Sequence, residues 1–253
     1  MHNNIFTIGP ITIHGYGLMI GIGVLIAIGV VFFRARKQGI ETDHVYSLIV
    51  VGLIFGILGA KILYCIIEWR TLIIDPWAVV AGSGFVVYGG IIGGIIAAII
   101  FARVKSISFL KLFDLIIPEV AIAQGFGRIG CLLAGCCYGR ETDSILGIVF
   151  HNSDLAPNDV SLIPTQIIFC ICAFALAIFL ITVSKYVKTS GVVGALYVIL
   201  YSAGRFFLEY LRGDYRGTIF NALSTSQSIA IIVFIMGICY YGLLKFRKQI
   251  EVK

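Results

Sequence analysis

The side chains best able to do chemistry are the charged ones that fall inside apolar stretches: Lys61, Glu68, Glu119, Arg128, Arg205 and Glu209. A charge in hydrocarbon costs roughly 2.5–3.5 kcal/mol on insertion scales, so each needs a reason. Lys61 and Glu68 lie near one end of their stretch, where a long side chain can snorkel to the interface. Arg128 sits in Gly125-Phe126-Gly127-Arg128-Ile129-Gly130, and Arg205 shares a helix face with Tyr201 and Glu209 at four-residue spacing. A ladder Arg205–Glu209–Arg212 would satisfy one of these arginines and leaves Arg128 without a partner. Guanidinium stays charged and grips phosphate through two parallel hydrogen bonds. Two such groups at matching depth point to an anion between them, and a phospholipid headgroup is the anion available there.

Sulfur is the second chemical resource. Cys131, Cys136 and Cys137 cluster at the end of the same apolar stretch as Arg128, whereas Cys65, Cys170, Cys172 and Cys239 fall inside apolar runs and read as small buried hydrophobes. The trio leaves three roles open: buried or disulfide-bonded, lining a site, or binding metal. Its spacing is not a standard zinc pattern, and His14 and His151 stand in no ligand pattern, so no metal and no cofactor are expected. Arg128 precedes Cys131 by one helical turn and is placed to activate a thiol, so Cys131 and Cys136 are candidate substrate contacts.

The elements that position these groups are membrane helices. The 253-residue chain is 59% hydrophobic and 13% charged. Soluble domains carry about a quarter charged residues, so lipid is the implied solvent. About seven stretches reach the roughly 20 residues needed to span, near 15–33, 46–67, 77–102, 110–132, 163–184, 190–210 and 224–244. Backbone in lipid must satisfy its own hydrogen bonds, so the expected class is an all-α, polytopic membrane protein. Met1–His14 lacks a basic segment and a small-residue cleavage site, and the first stretch is expected to be a retained helix. The glycines at 89, 90, 93 and 94 give small-xxx-small spacings for close helix packing, and Gly82 with Gly84 marks a break.

Basic residues give the orientation. Arg34, Arg36 and Lys37, then Arg103, Lys105 and Lys111, then Lys185 and Lys188, then Lys245, Arg247, Lys248 and Lys253 all fall on one side if there are seven spans. That side is the cytoplasm, which places the N-terminus outside and the long loop near 139–162 outside as well. Arg128 and Arg205 then share the outer leaflet. No Pro- or Ser-rich linker interrupts the chain, so residues 1–253 are expected to form one transmembrane domain. The net charge of +6 sits in short clusters beside apolar runs, which suits a membrane surface and argues against nucleic acid.

Several segments, in order, resemble the prolipoprotein diacylglyceryl transferase family. These are Ile13–Met19 (IHGYGLM), Gly125–Arg140 (GFGRIGCLLAGCCYGR), Pro164-Thr165-Gln166, Tyr201–Arg212 (YSAGRFFLEYLR) and Ser226-Gln227. The resemblance implies transfer of the diacylglyceryl group of phosphatidylglycerol to the lipobox cysteine of a preprolipoprotein signal peptide in a bacterial inner membrane. A thioether forms and glycerol phosphate leaves. It also implies that Arg128 and Arg205 hold the phosphate, with Tyr16 and Tyr201 near the reacting groups. Glu209 would orient Arg205, and Gly127, Gly139, Arg140 and His14 would contribute to the substrate site.

Two departures mark a diverged branch. Tyr88 stands in Val87-Tyr88-Gly89-Gly90 where family members commonly carry histidine, and Cys131, Ala134 and Cys136 replace polar signature residues. A neutral phenol, with its pKa near 10, is a weaker base at pH 7 than imidazole. Tyr88 nevertheless occupies the base position, and a transferase for another thiol acceptor is the neighbouring alternative. A non-enzymatic lipid transporter would also bury charge in spans, but no internal repeat supports that reading.

Overall fold

The computed structural model describes residues 4–8, 11–82, 84–214, 218–219 and 223–251. Lys253, part of the last basic cluster, lies outside the described residues. Strands β1 (Asn4–Ile8) and β2 (Ile11–His14) form an antiparallel hairpin that leads into α1 (Gly15–Lys37). Next come α2 (Thr42–Ile67), the short α3 (Trp69–Ile74) and α4 (Pro76–Ala81), then α5 (Val87–Val104) and α6 (Phe109–Ala134). The small hairpin β3 (Ile148–Val149) with β4 (Ser161–Leu162) precedes α7 (Thr165–Val183) and α8 (Val192–Glu209). A last hairpin, β5 (Thr218–Ile219) with β6 (Leu223–Ser224), precedes α9 (Thr225–Glu251).

The chain is therefore a polytopic all-α membrane protein. Among the described residues, six helices are long and apolar enough to cross a bilayer: α1, α2, α5, α7, α8 and α9 through Phe246. The remaining expected span is α6, a 26-residue helix that carries Lys111, Asp114, Glu119 and Arg128 and contains Pro118. Its four charged residues are spread along the helix, whereas the four of α9 are gathered at its end. The third expected span, 77–102, divides at the anticipated glycines: α4 ends at Ala81 and α5 starts at Val87. Large apolar side chains such as Ile74, Val87 and Leu25 are exposed at 85%, 74% and 71%, as lipid-facing residues must be.

By contacts the chain falls into two compact units, residues 31–115 and residues 1–30 with 116–253. The boundary lies within α1 and within α6 rather than in a linker.

In the 31–115 unit, α2 and α5 are the dominant packed pair. Their contact is made by glycine backbone. A methyl built on Gly59 would strike the Gly89 carbonyl, and one on Gly93 would strike that of Phe55. Lys61, expected to snorkel, ends on backbone carbonyls of the α4–α5 break. Its Nζ donates to the Gly82 carbonyl at 2.7 Å and the Gly84 carbonyl at 3.2 Å, and it lies over the Phe85 ring. The break after α4 frees carbonyls, and the lysine satisfies them. Arg34 is likewise no surface charge: it is buried, and its Nη1 donates to the Leu115 carbonyl at 2.7 Å. A small core of Val31, Ala35, Ile40, Val45 and Leu115 surrounds that end.

In the other unit, α7, α8 and α9 pack in series, and α6 joins them through Gly125 against Phe174 and the edge-on pair Phe126–Phe174. Gln124 of α6 donates to the Tyr197 hydroxyl of α8 at 2.8 Å. The long loop folds on its own small core of Phe150, Ala156 and Leu162. The four cysteines expected to be buried are not: Cys172 and Cys239 are exposed, and Cys65 and Cys170 are half-buried. Lipid solvates a thiol as readily as a protein core does, so burial was not required of them.

Candidate functional site

The site is assembled by three helices around one ring. Phe169 of α7, only 8% exposed, has the Arg128 guanidinium of α6 at 4.7 Å from its centroid and that of Arg205 of α8 at 5.5 Å. A guanidinium is drawn to the negative ring face, and here two like charges are drawn to the same ring. They are close enough to feel each other's charge. The juxtaposition that Arg128 and Arg205 needed is therefore present.

The two arginines are held differently. Arg205 Nη1 meets Glu209 Oε2 at 2.8 Å, one turn along α8, and its Nη2 donates to Ser226 Oγ of α9 at 2.9 Å. Glu209 is buried, accepts a hydrogen bond from Ser224 Oγ at 3.1 Å and lies 3.8 Å from Arg212 Nε. The expected ladder is thus made, and Arg212 continues it to Asp214. Arg128 is half-buried and has neither an ion pair nor a hydrogen bond among the described residues. A charge kept partly out of water without a counter-ion is a standing demand for an anion. Next to it in the chain, Gly127 faces open space, since a methyl there would meet nothing within 4 Å.

The start of α9 explains the Ser-Gln motif. Ser224 and Gln227 form a reciprocal capping box: Gln227 N donates to Ser224 Oγ at 3.1 Å, and Ser224 N donates to Gln227 Oε1 at 3.0 Å. This fixes Ser226, and hence its bond to Arg205.

The segment after α6 is pinned from α7. Thr165 Oγ1 donates to the Cys137 carbonyl and Gln166 Nε2 to the Cys136 carbonyl, each at 2.8 Å, and both side chains are buried. The Pro-Thr-Gln motif therefore clamps the cysteine loop. Cys131, Cys136 and Cys137 are free thiols whose sulfurs lie within 4.8 Å of one another. Neighbouring Cys131 and Cys136, then the Arg212 guanidinium, hold the Cys137 thiol well below its ordinary pKa. Hydrogen bonding to Cys131 and Cys137, with burial, pushes Cys136 above its own.

The other expected residues are distributed as follows. Tyr16, at the start of α1, packs on Gly130 and lies within electrostatic reach of the three cysteines and Arg128. Tyr201 stacks on Tyr197 at 5.4 Å on the Arg205 face of α8. Gly139 and Arg140 run extended between two neighbouring segments: Arg140 N donates to the Leu211 carbonyl at 3.0 Å, and Ile163 N to that of Arg140 at 2.9 Å. A side chain on Gly139 would strike the Ile163 carbonyl, so glycine is required there by packing. Arg140 is exposed and donates from Nε to the Arg212 carbonyl at 3.2 Å. His14 ends β2 with an exposed side chain. Tyr88 belongs to the 31–115 unit, on the first turn of α5, and is exposed. Phe169 and Ser224 were not singled out from sequence. Phe169 follows Gln166 by one helical turn, and Ser224 precedes Gln227 at the capping-box interval, so both lay within reach of recognised motifs.

Comparison with known proteins gives one family. A family model described as prolipoprotein diacylglyceryl transferase matches residues 3–243. The chain is 46% identical to the phosphatidylglycerol–prolipoprotein diacylglyceryl transferase of Clostridium tetani, covering 97% of this chain and 98% of that one. It is 45% identical to transferase 2 of that name from Clostridium perfringens, over 94% of each chain. A transferase of the same name from Dehalococcoides mccartyi is 30% identical over 97% of this chain and 94% of its own.

Proposed function

This chain belongs to the prolipoprotein diacylglyceryl transferase family, and from that premise we propose that it transfers the diacylglyceryl group of phosphatidylglycerol to a prolipoprotein thiol, with Arg128 and Arg205 as the phosphate clamp. The acceptor is the lipobox cysteine of the signal peptide. Its sulfur forms a bond to the terminal glyceryl carbon of the diacylglyceryl group as the carbon–oxygen bond to phosphate breaks. The thiol proton passes to the departing phosphate oxygen, and glycerol phosphate leaves with the bond's electron pair. Charge thus grows on the phosphate in the transition state, where fixed cations lower the barrier most.

Arg128 supplies uncompensated charge, and Arg205 supplies charge already aimed by Glu209 and Ser226. Phe169 sets the spacing of the pair. Tyr16 and Tyr201 flank the headgroup as hydroxyl donors. Gly127, Cys131, Cys136, Gly139, Arg140 and His14 complete the substrate surface. The protein works in a bacterial inner membrane with the N-terminus outside, the C-terminus cytoplasmic and α6 as the seventh span. The partition of basic residues supports that topology.

The observation that carries this reading is the pair of guanidiniums from different helices on one aromatic ring, one of them without a counter-ion among the described residues. The test is the mass gain of a lipobox peptide incubated with the protein in phosphatidylglycerol vesicles. Wild type adds one diacylglyceryl group, and an Arg128→Ala, Arg205→Ala double variant adds none. Unchanged transfer by the folded double variant would overturn the clamp.

A further inference from the structure

The three-thiol cluster is not used by the transfer chemistry beyond surface contact, yet it has the anatomy of a ligand set. Gly135 and Cys137 both take left-handed backbone, with φ of 69° and 60°. Such a conformation is unfavourable for a residue with a side chain and persists only where the surroundings enforce it. Here they do. Cys136 N bonds back to the Cys131 carbonyl at 3.0 Å, and buried Thr165 and Gln166 hold the Cys136 and Cys137 carbonyls. The enforced turn folds Cys136 and Cys137 back over the end of α6, bringing all three sulfurs within 4.8 Å.

We propose that Cys131, Cys136 and Cys137 form a binding site for one thiophilic divalent cation of the zinc class. A zinc ion sits about 2.3 Å from each thiolate, which requires sulfurs about 4 Å apart. The cluster needs to close only slightly to reach that. Three thiolates and a divalent cation carry one net negative charge. Arg212, already paired with Glu209 and Asp214, also stands within hydrogen-bond reach of Cys137, and Arg128 lies one turn from Cys131, so the cluster sits beside two guanidiniums. An N–H directed at a metal-bound sulfur is also the usual outer support of thiolate ligands. The Cys-x4-Cys-Cys spacing hides this site from sequence, because the left-handed turn, not a regular interval, brings the sulfurs together. Three protein ligands leave a fourth position open. An ion there would lock the end of α6 in register with Arg128.

The inference stands apart from the transferase reading, and its test is a binding measurement. Full-length protein, reduced and stripped with chelator in detergent under anaerobic conditions, is titrated with Cd²⁺ and followed by ultraviolet thiolate-to-metal charge transfer. One equivalent is expected per chain. The same single equivalent is expected in a variant with Cys65, Cys170, Cys172 and Cys239 all changed to Ser. Binding is expected to vanish in Cys137→Ser, with the protein's helical circular dichroism retained. As a second readout, Zn²⁺ should protect three cysteines from maleimide alkylation by intact mass. Absence of a band at equimolar Cd²⁺, its loss in the four-cysteine variant, or no protection by Zn²⁺ would overturn the site.

Discussion

The two units use the same apolar helices to opposite ends. In the 31–115 unit, α2 and α5 meet through Gly59, Gly89 and Gly93, and the charged side chains Lys61 and Arg34 are spent on backbone carbonyls. Each of those bonds closes an account within the unit. In the other, α6 carries Arg128, α8 carries Arg205 and Glu209, and Arg212 follows α8; the ladder is closed among Arg205, Glu209, Arg212 and Asp214 and leaves Arg128 outside it. A buried charge that satisfies backbone is structural. A buried charge held beside others and left without an anion is a site. The difference is not in composition but in whether the polar groups find their partners inside the chain.

The comparison is broken most directly at the arginines. Arg128→Ala should lower the rate of lipobox-peptide lipidation by about 100-fold or more, the scale seen when one donor to developing charge is removed. It should leave the thermal midpoint in detergent nearly unchanged, since no ion pair of the described residues is lost. Arg205→Ala should cost a similar factor and also lower the midpoint, because Glu209 is then left buried beside Arg212 alone. Equal stability loss in both variants would erase the distinction drawn here between a held and an unheld arginine.

The scaffold unit should fail in the opposite sense. Gly59→Val inserts a branched side chain where the Gly89 carbonyl already sits, at a cost of about 1–3 kcal/mol. The expected result is a lower thermal midpoint with little change in activity per folded molecule. A catalytic loss larger than the loss of folded protein would show that this pairing serves the chemistry too.

Smaller effects sharpen the picture. Ser226→Ala removes one hydrogen bond to Arg205, worth about 1 kcal/mol, and should slow lipidation about fivefold. With metal removed by chelator, Cys137 should react with iodoacetamide at lower pH than Cys136, read by peptide mass. A depressed pKa leaves the reactive thiolate present further down the pH scale, and an elevated one delays it. Reversed order would mean that Cys131, Cys136 and Arg212 do not favour the thiolate on Cys137.

Much of this was legible in the sequence because it rests on local properties. Hydropathy over some 20 residues determines which segments enter lipid, and glycine spacing marked both the α2–α5 contact and the break before α5. Four-residue spacing alone placed Arg205 and Glu209 on one face of a helix. The motifs in order were enough to point to the family. What only the tertiary structure decided is which groups from different segments meet: Phe169 between two arginines, Gln166 on the cysteine loop, Lys61 on the Gly82 and Gly84 carbonyls, and Arg34 buried against the Leu115 carbonyl. Helix formation in lipid follows from each segment's own backbone and side chains. Partner choice among polar groups depends on three-dimensional proximity, which no single segment encodes.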